Sequence, residues 1–267
     1  MFSRRLACVV TAAVSGAVLI ACGGGPNSAR TTALDAPIPT TPRALERRLS
    51  AVDADLRRDI DAWRAGGNPQ AAPPETVTRE ALYVERAVHV LARRPALKRA
   101  TVHGLSSRLA AEIGDLTVAQ DDLRRLSAGW PSHHVVTGPP DPLGELVRSY
   151  RAAQDHFGIR WQTLASVNLV ESAFGRVRNP SVAGARGPMQ FMPATWRAYG
   201  LGGNVRDPHD AILGAANLLH HAGAPASYAR ALYAYNPSSE YVDAVQRYAR
   251  LMARDRDALY LLYSWRP

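Results

Sequence analysis

Only two cysteines occur in the 267 residues, Cys8 and Cys22, and both lie near the N terminus. Nothing downstream can build a disulfide framework, a thiolate metal site or a thiol nucleophile, so cysteine-peptidase chemistry is excluded. Lysine is scarcer still: Lys98 is the one lysine among 32 basic residues. The formal charge of +9 is therefore carried by arginine. That charge suits anionic wall polymers or lipid headgroups as well as nucleic acid, and it decides nothing by itself. No nucleic-acid partner is expected. The most informative scarcity is of acids: between Asp155 and Asp207 the sequence holds a single carboxylate, Glu171.

One long apolar run is present, "LACVVTAAVSGAVLIA", preceded by Arg4 and Arg5. It is short for a membrane span and ends in small residues, as an export leader does. Its close, Leu19-Ile20-Ala21-Cys22, resembles the lipobox of bacterial lipoproteins. That resemblance implies a leader over residues 1–21, removed before Cys22, and lipidation of Cys22. The chain is then expected on the outer face of a bacterial membrane, with the membrane as partner through that anchor. The Gly/Pro/Thr-rich residues 22–41 have no apolar period and read as a flexible tether.

Beyond the tether the patterning is helical, and the expected fold class is all-α. Pro42 suits the first turn of a helix capped by Thr41. Leu45, Leu49, Val52, Leu56, Ile60 and Trp63 then form one helical stripe. A second helix is expected around residues 79–94, and a third along Leu105, Leu109, Ile113, Leu116, Leu123 and Leu126. This helical region, 42–127, is either a partner-binding module or a small bundle packed on the next domain. A proline-rich break over 128–142 reads as a linker. Asp141 and Pro142 suggest another cap and first turn. The remainder, 143–267, predicts helices at about 142–157, 161–174, 193–199, 208–222, 226–235 and 239–256, with an ambiguous tail "ALYLLYSW".

Glu171 falls late in the helix "WQTLASVNLVES", whose apolar residues surround much of the circumference, so the helix is expected to be buried. The glutamate shares a face with Leu164, Val167 and Asn168. Burial and the negative helix end both disfavour its charged form, which is the condition for a general acid at neutral pH. Gly175, Gly184, Gly187 and Pro180 follow in a loop suited to close backbone approach, and "PMQFMPATW" adds a thioether, an amide and rings. Apolar surface with a few placed polar groups suits a sugar. The pairs His133-His134 and His220-His221 lack metal-site spacing, and no metal or cofactor is expected. "RDPHD" at 206–210 reads as a helix cap rather than a calcium loop.

Three ordered motifs carry a more specific resemblance: Glu171-Ser172-Ala173-Phe174; Ser181 with Gly184-Ala185 and Gly187-Pro188-Met189-Gln190-Phe191-Met192-Pro193; and Ala234-Tyr235-Asn236. Together they resemble the SLT-type lytic transglycosylases, over about 143–250. The resemblance implies a lysozyme-like helical catalytic domain, preceded here by a small helical region, and peptidoglycan glycan strands as substrate. It implies Glu171 as acid and then base. It also implies Ser172, Ser181, Met189, Gln190, Phe191, Tyr235 and Asn236 as substrate-binding, with Tyr235 beside the catalytic carboxyl. Pro188, where many members have leucine, resembles the branch of membrane-bound lytic transglycosylase B; Pro237 departs from the common Ala-Gly. Such enzymes need one carboxyl because the substrate's own C6 hydroxyl is the nucleophile. Two rivals remain: a hydrolase of the same fold recruiting Asp207 or Asp210 as second carboxylate, and a non-catalytic glycan-binding protein.

Overall fold

The computed structural model describes residues 36–66, 71–128 and 134–267. Cys22 and the expected leader lie outside the described residues, as does His133. Among the described residues the chain is all-α, the class the sequence predicts, with no strand and two isolated bridges. None of these helices is long and apolar enough to cross a membrane.

Four helices come from the N-terminal region: α1 (Pro42–Ala65), α2 (Glu75–Ala92), α3 (Pro95–Gly104) and α4 (Ser107–Ser127). The sequence predicts three. The addition, α3, is two to three turns begun by Pro95, and it buries only Leu97 and Thr101 within its span, too few for a visible stripe. Pro42 does open α1, but the Thr41 side chain makes no capping hydrogen bond. Ser106 caps α4 by accepting from the Leu109 N–H at 3.4 Å.

Seven helices follow: α5 (Leu143–Phe157), α6 (Trp161–Ser172), α7 (Pro193–Tyr199), α8 (Pro208–His221), α9 (Tyr228–Tyr235), α10 (Ser239–Arg254) and α11 (Ala258–Tyr263). The ambiguous tail is thus helical. Their starts follow the local chemistry: Asp207, Ser227 and Ser238 cap α8, α9 and α10 with their side chains. Asp141 does not cap α5 as expected. Pro142 takes the N-cap position, and the Asp141 carboxylate turns instead to Arg178, 3.4 Å away.

The core places α6 at the centre. It is buried on nearly every side, with Leu164, Ala165, Ser166, Val167, Asn168 and Ser172 all at 0% exposure. Helices α5, α8, α10 and α11 surround it. Amphipathic α10 lies between α6 and α4, with Tyr241, Val245, Tyr248 and Met252 buried. One apolar core runs through both the N-terminal helices and the later ones. A charged seam adds to it: Arg57 of α1 meets Asp53 at 3.0 Å, Glu112 of α4 at 3.1 Å and Asp255, just after α10, at 2.6 Å.

The segment expected as a linker is paired where it is described. The Gly138 N–H donates to Arg176 O and the Arg178 N–H to Val136 O, both at 2.9 Å. The chain leading into α5 therefore braces the loop that leaves α6.

Candidate active site

The site begins with how α6 ends. Gly175 is the stop the sequence predicts, yet the helix closes at Ser172 and three consecutive residues enter left-handed backbone: Ala173 (φ 50°), Phe174 (φ 60°) and Gly175 (φ 81°). Such conformations cost about 1–3 kcal/mol each outside glycine, and they persist only where neighbours over-determine them. Here they do. Phe174 is fully buried, its ring 5.5 Å from that of Tyr263, and its carbonyl accepts from the Asp141 N–H at 2.8 Å. The Gly175 N–H donates to Ser172 Oγ at 2.8 Å, and a Cβ on Gly175 would overlap the Asp141 carboxylate.

Glu171, in the last turn before this bend, is 2% exposed. Its Oε1 accepts from the hydroxyl of Tyr241, on α10, at 2.8 Å. Burial pushes its carboxyl up to about 8, against the opposing pull of that hydrogen bond. No charged group contributes to the shift, so Glu171 is an acid isolated from other ions. Burial likewise drives the Tyr241 hydroxyl well above its ordinary range, reinforced by Glu171, and keeps it a donor.

Over α6 sits the turn 187–190. The Arg186 and Phe191 backbones exchange hydrogen bonds of 2.9 and 2.8 Å, and Gln190 N–H donates to Gly187 O at 3.0 Å. Gly187 is at φ 75°, and a Cβ there would collide with the Val205 carbonyl, so this position requires glycine. Gln190 is left-handed too, at φ 46°, and its side-chain amide donates to Gly187 O at 2.9 Å. Three side chains pin the turn. Ser172 Oγ donates to Pro188 O at 2.6 Å, Asn168 Nδ2 approaches the same oxygen at 3.4 Å, and the Tyr235 hydroxyl donates to Met189 O at 2.7 Å. Phe191 packs edge-on against Trp196 at 5.1 Å and Tyr235 at 5.9 Å.

The expected site residues therefore fall into different roles. Glu171, Ser172, Met189, Gln190, Phe191 and Tyr235 gather around one end of α6. Ser172, expected to bind substrate, is fully buried and its hydroxyl is engaged at both ends within the protein. Tyr235, expected beside the carboxyl, donates its hydroxyl to the turn at Met189 O; its ring stacks parallel to that of Tyr241 at 6.3 Å, and the Tyr241 hydroxyl donates to Glu171. Ser181 closes its own small loop, accepting from the Ala185 N–H at 3.0 Å. Asn236 ends α9, its N–H donating to Leu232 O. Asp207 and Asp210 are occupied at the start of α8: Asp207 accepts from the Asp210 N–H at 3.0 Å, and Asp210 from the Asn204 N–H at 2.8 Å.

Two further residues belong to the site without a role that the sequence reveals. Tyr241 is signalled only by the buried stripe of α10, which gives no hint of a hydroxyl contact. Asn168 shares the Glu171 face, but its spacing alone assigns it no partner. Among the described residues no three metal-ligating side chains cluster, and His220 is engaged with the Phe157 carbonyl at 3.1 Å.

This geometry coincides with a similarity to a known protein family. No curated protein and no solved structure matches the chain. A family model does: residues 148–256, which hold Glu171, the 187–190 turn and Tyr241, match the Transglycosylase SLT domain.

Proposed function

We propose that the protein is a peptidoglycan lytic transglycosylase that works with a single carboxyl group. The observation that carries this reading is Glu171: buried, bonded to a tyrosine, and with its carboxyl pushed up to about 8 by burial rather than by any second carboxylate. A hydrolase needs a second acid to activate water or to attack the sugar. The aspartates available for that part, Asp207 and Asp210, are committed to backbone N–H groups at the start of α8.

The reaction is built from those groups. Glu171 donates its proton to the oxygen linking N-acetylmuramic acid to N-acetylglucosamine, and the C1–O4 bond breaks. The carboxylate left behind takes the proton of the muramic C6 hydroxyl as O6 bonds to C1. The products are a free N-acetylglucosamine end and a 1,6-anhydro-muramic end; no water is consumed. The attack is intramolecular, so its reactants are already together. Tyr241 stabilises the carboxylate between the two steps, and the proton taken from the C6 hydroxyl restores the acid, the form that burial favours. The 187–190 turn and the Ser181 loop form the cleft wall, while Ser172 and Tyr235 hold that wall against α6. The presence of Pro188 supports the branch resembling membrane-bound lytic transglycosylase B.

Replacing Glu171 tests the assignment. Glu171→Gln keeps shape and the acceptor for Tyr241 but removes the proton, so release of soluble fragments from purified peptidoglycan should fall by about 10²–10⁴ or more. A variant that folds and retains wild-type turnover would remove Glu171 from the mechanism.

A further inference from the structure

The face of α6 that carries Glu171 also carries an unpaired acceptor. Asn168 sits three residues earlier, about one helical turn, and is 0% exposed. Its amide orientation is set by its neighbours: Nδ2 approaches Pro188 O at 3.4 Å and Met189 Sδ at 3.1 Å. Turning the amide over would bring two oxygens together without a proton between them. Oδ1 is thereby left buried with no donor, an arrangement that native proteins seldom leave unexplained.

The hydroxyl donors around it are occupied. Tyr241, from α10, donates to Glu171 Oε1. Tyr235, from α9, donates to Met189 O, and Ser172 donates to Pro188 O. No charged group on α5, α8, α10 or α11 contributes to the protonation of Glu171; Tyr241 is the one titratable group that does. What remains is the carboxylic proton itself. With Oε1 accepting from Tyr241, that proton belongs on Oε2. Side chains at this spacing start about 5–6 Å apart at Cβ, within reach of a hydrogen bond between an amide and a carboxyl.

We propose that in the resting enzyme Glu171 donates its carboxylic proton from Oε2 to Asn168 Oδ1, making Asn168 the residue that orients the acid. The same amide holds the cleft wall through Nδ2, so one side chain ties the position of the wall to the direction of the proton. Asn168 acts through Glu171 and is a positioning residue. The inference deepens the single-acid reading above and rests on it.

The test is carbon-13 NMR of the full chain, labelled at glutamate Cδ and asparagine Cγ, with the Glu171 and Asn168 signals identified by Glu171→Gln and Asn168→Leu. In the wild type, Asn168 Cγ should shift with pH at the same midpoint as Glu171 Cδ. In Asn168→Leu the neutral acid loses its acceptor, and the Glu171 midpoint should fall by about one pH unit, a tenfold loss of proton affinity. An Asn168 signal that stays flat through the Glu171 titration overturns the proposal, as does an unchanged midpoint in a folded Leu variant. If that variant does not fold, the wild-type titration decides alone. The outcome is separate from the reaction assigned above: an active Glu171→Gln enzyme would remove that assignment without altering the proton's resting place.

Discussion

Tyr241 meets Glu171 in both of its states, and the two states ask opposite things of it. Its hydroxyl favours the carboxylate and so pulls the Glu171 carboxyl down, against the burial that lifts it to about 8. Tyr241→Phe removes the downward pull. The basic limb of the pH–rate profile, which reports loss of the acid form, should therefore move to higher pH. Turnover at neutral pH should fall roughly ten- to a hundredfold, the worth of a hydrogen bond to a charged group. A pH–rate profile whose basic limb stays in place would contradict this account. Linkage adds a second reading of Glu171→Gln. A carboxyl raised in the folded state stabilises the fold fully below its unfolded range, near 4.5, and loses that contribution as pH rises through about 8. The melting temperature of the wild type should therefore decline relative to the Gln variant across that interval. At this scale the sequence is partly legible. The burial of Glu171 can be read from the apolar ring of "WQTLASVNLVES", whereas the choice between Tyr235 and Tyr241 cannot. The two rings stack in parallel across the break between α9 and α10, and only the three-dimensional course of that break decides which hydroxyl reaches the acid.

Among the elements, α6 and the turn laid over it do the positioning, and Ser172 is their joint. Its hydroxyl donates to Pro188 O and accepts from Gly175 N–H, so it fixes the 187–190 turn and the left-handed exit of the helix together. Ser172→Ala leaves a buried carbonyl and a buried N–H short of a partner. It should destabilise the fold by about 1–3 kcal/mol and lower turnover with it. Thermal denaturation and fragment release measure the two effects; a variant of wild-type stability and rate would show that the joint carries nothing. Helix limits are well marked in sequence where a residue caps or breaks the chain, as at Pro193 and Asp207. They are poorly marked where tertiary contacts override local chemistry. Asp141 resembles a cap, yet it is drawn to Arg178; Ala173 and Phe174 resemble ordinary helix, yet packing bends them out of it. Helix α3 is hidden because its short span leaves no stripe to read.

Across the whole molecule, the proline-rich break at 128–142 marks a change in sequence, but the core does not stop there. Helix α4 covers the outer side of α10, and the Arg57 seam ties α1 and α4 to the end of α10. An isolated 143–267 fragment would uncover the side of α10 that α4 packs against and would strip Tyr248 of its hydrogen bond from Gln120 Nε2, 3.2 Å away. It should melt without cooperativity or aggregate, by scanning calorimetry or light scattering; a fragment that melts cooperatively as a soluble monomer would mark it as a self-sufficient unit. The N-terminal helices thus reach the site through α10, the helix that carries Tyr241. The central claim, that one carboxyl performs the entire reaction, is read most directly in the product. Mass spectrometry of purified peptidoglycan digested by the wild-type enzyme should show muramic ends one water lighter than reducing ends, the mark of the 1,6-anhydro ring. Reducing muramic ends would mean that water attacked, and the single-acid mechanism would be wrong.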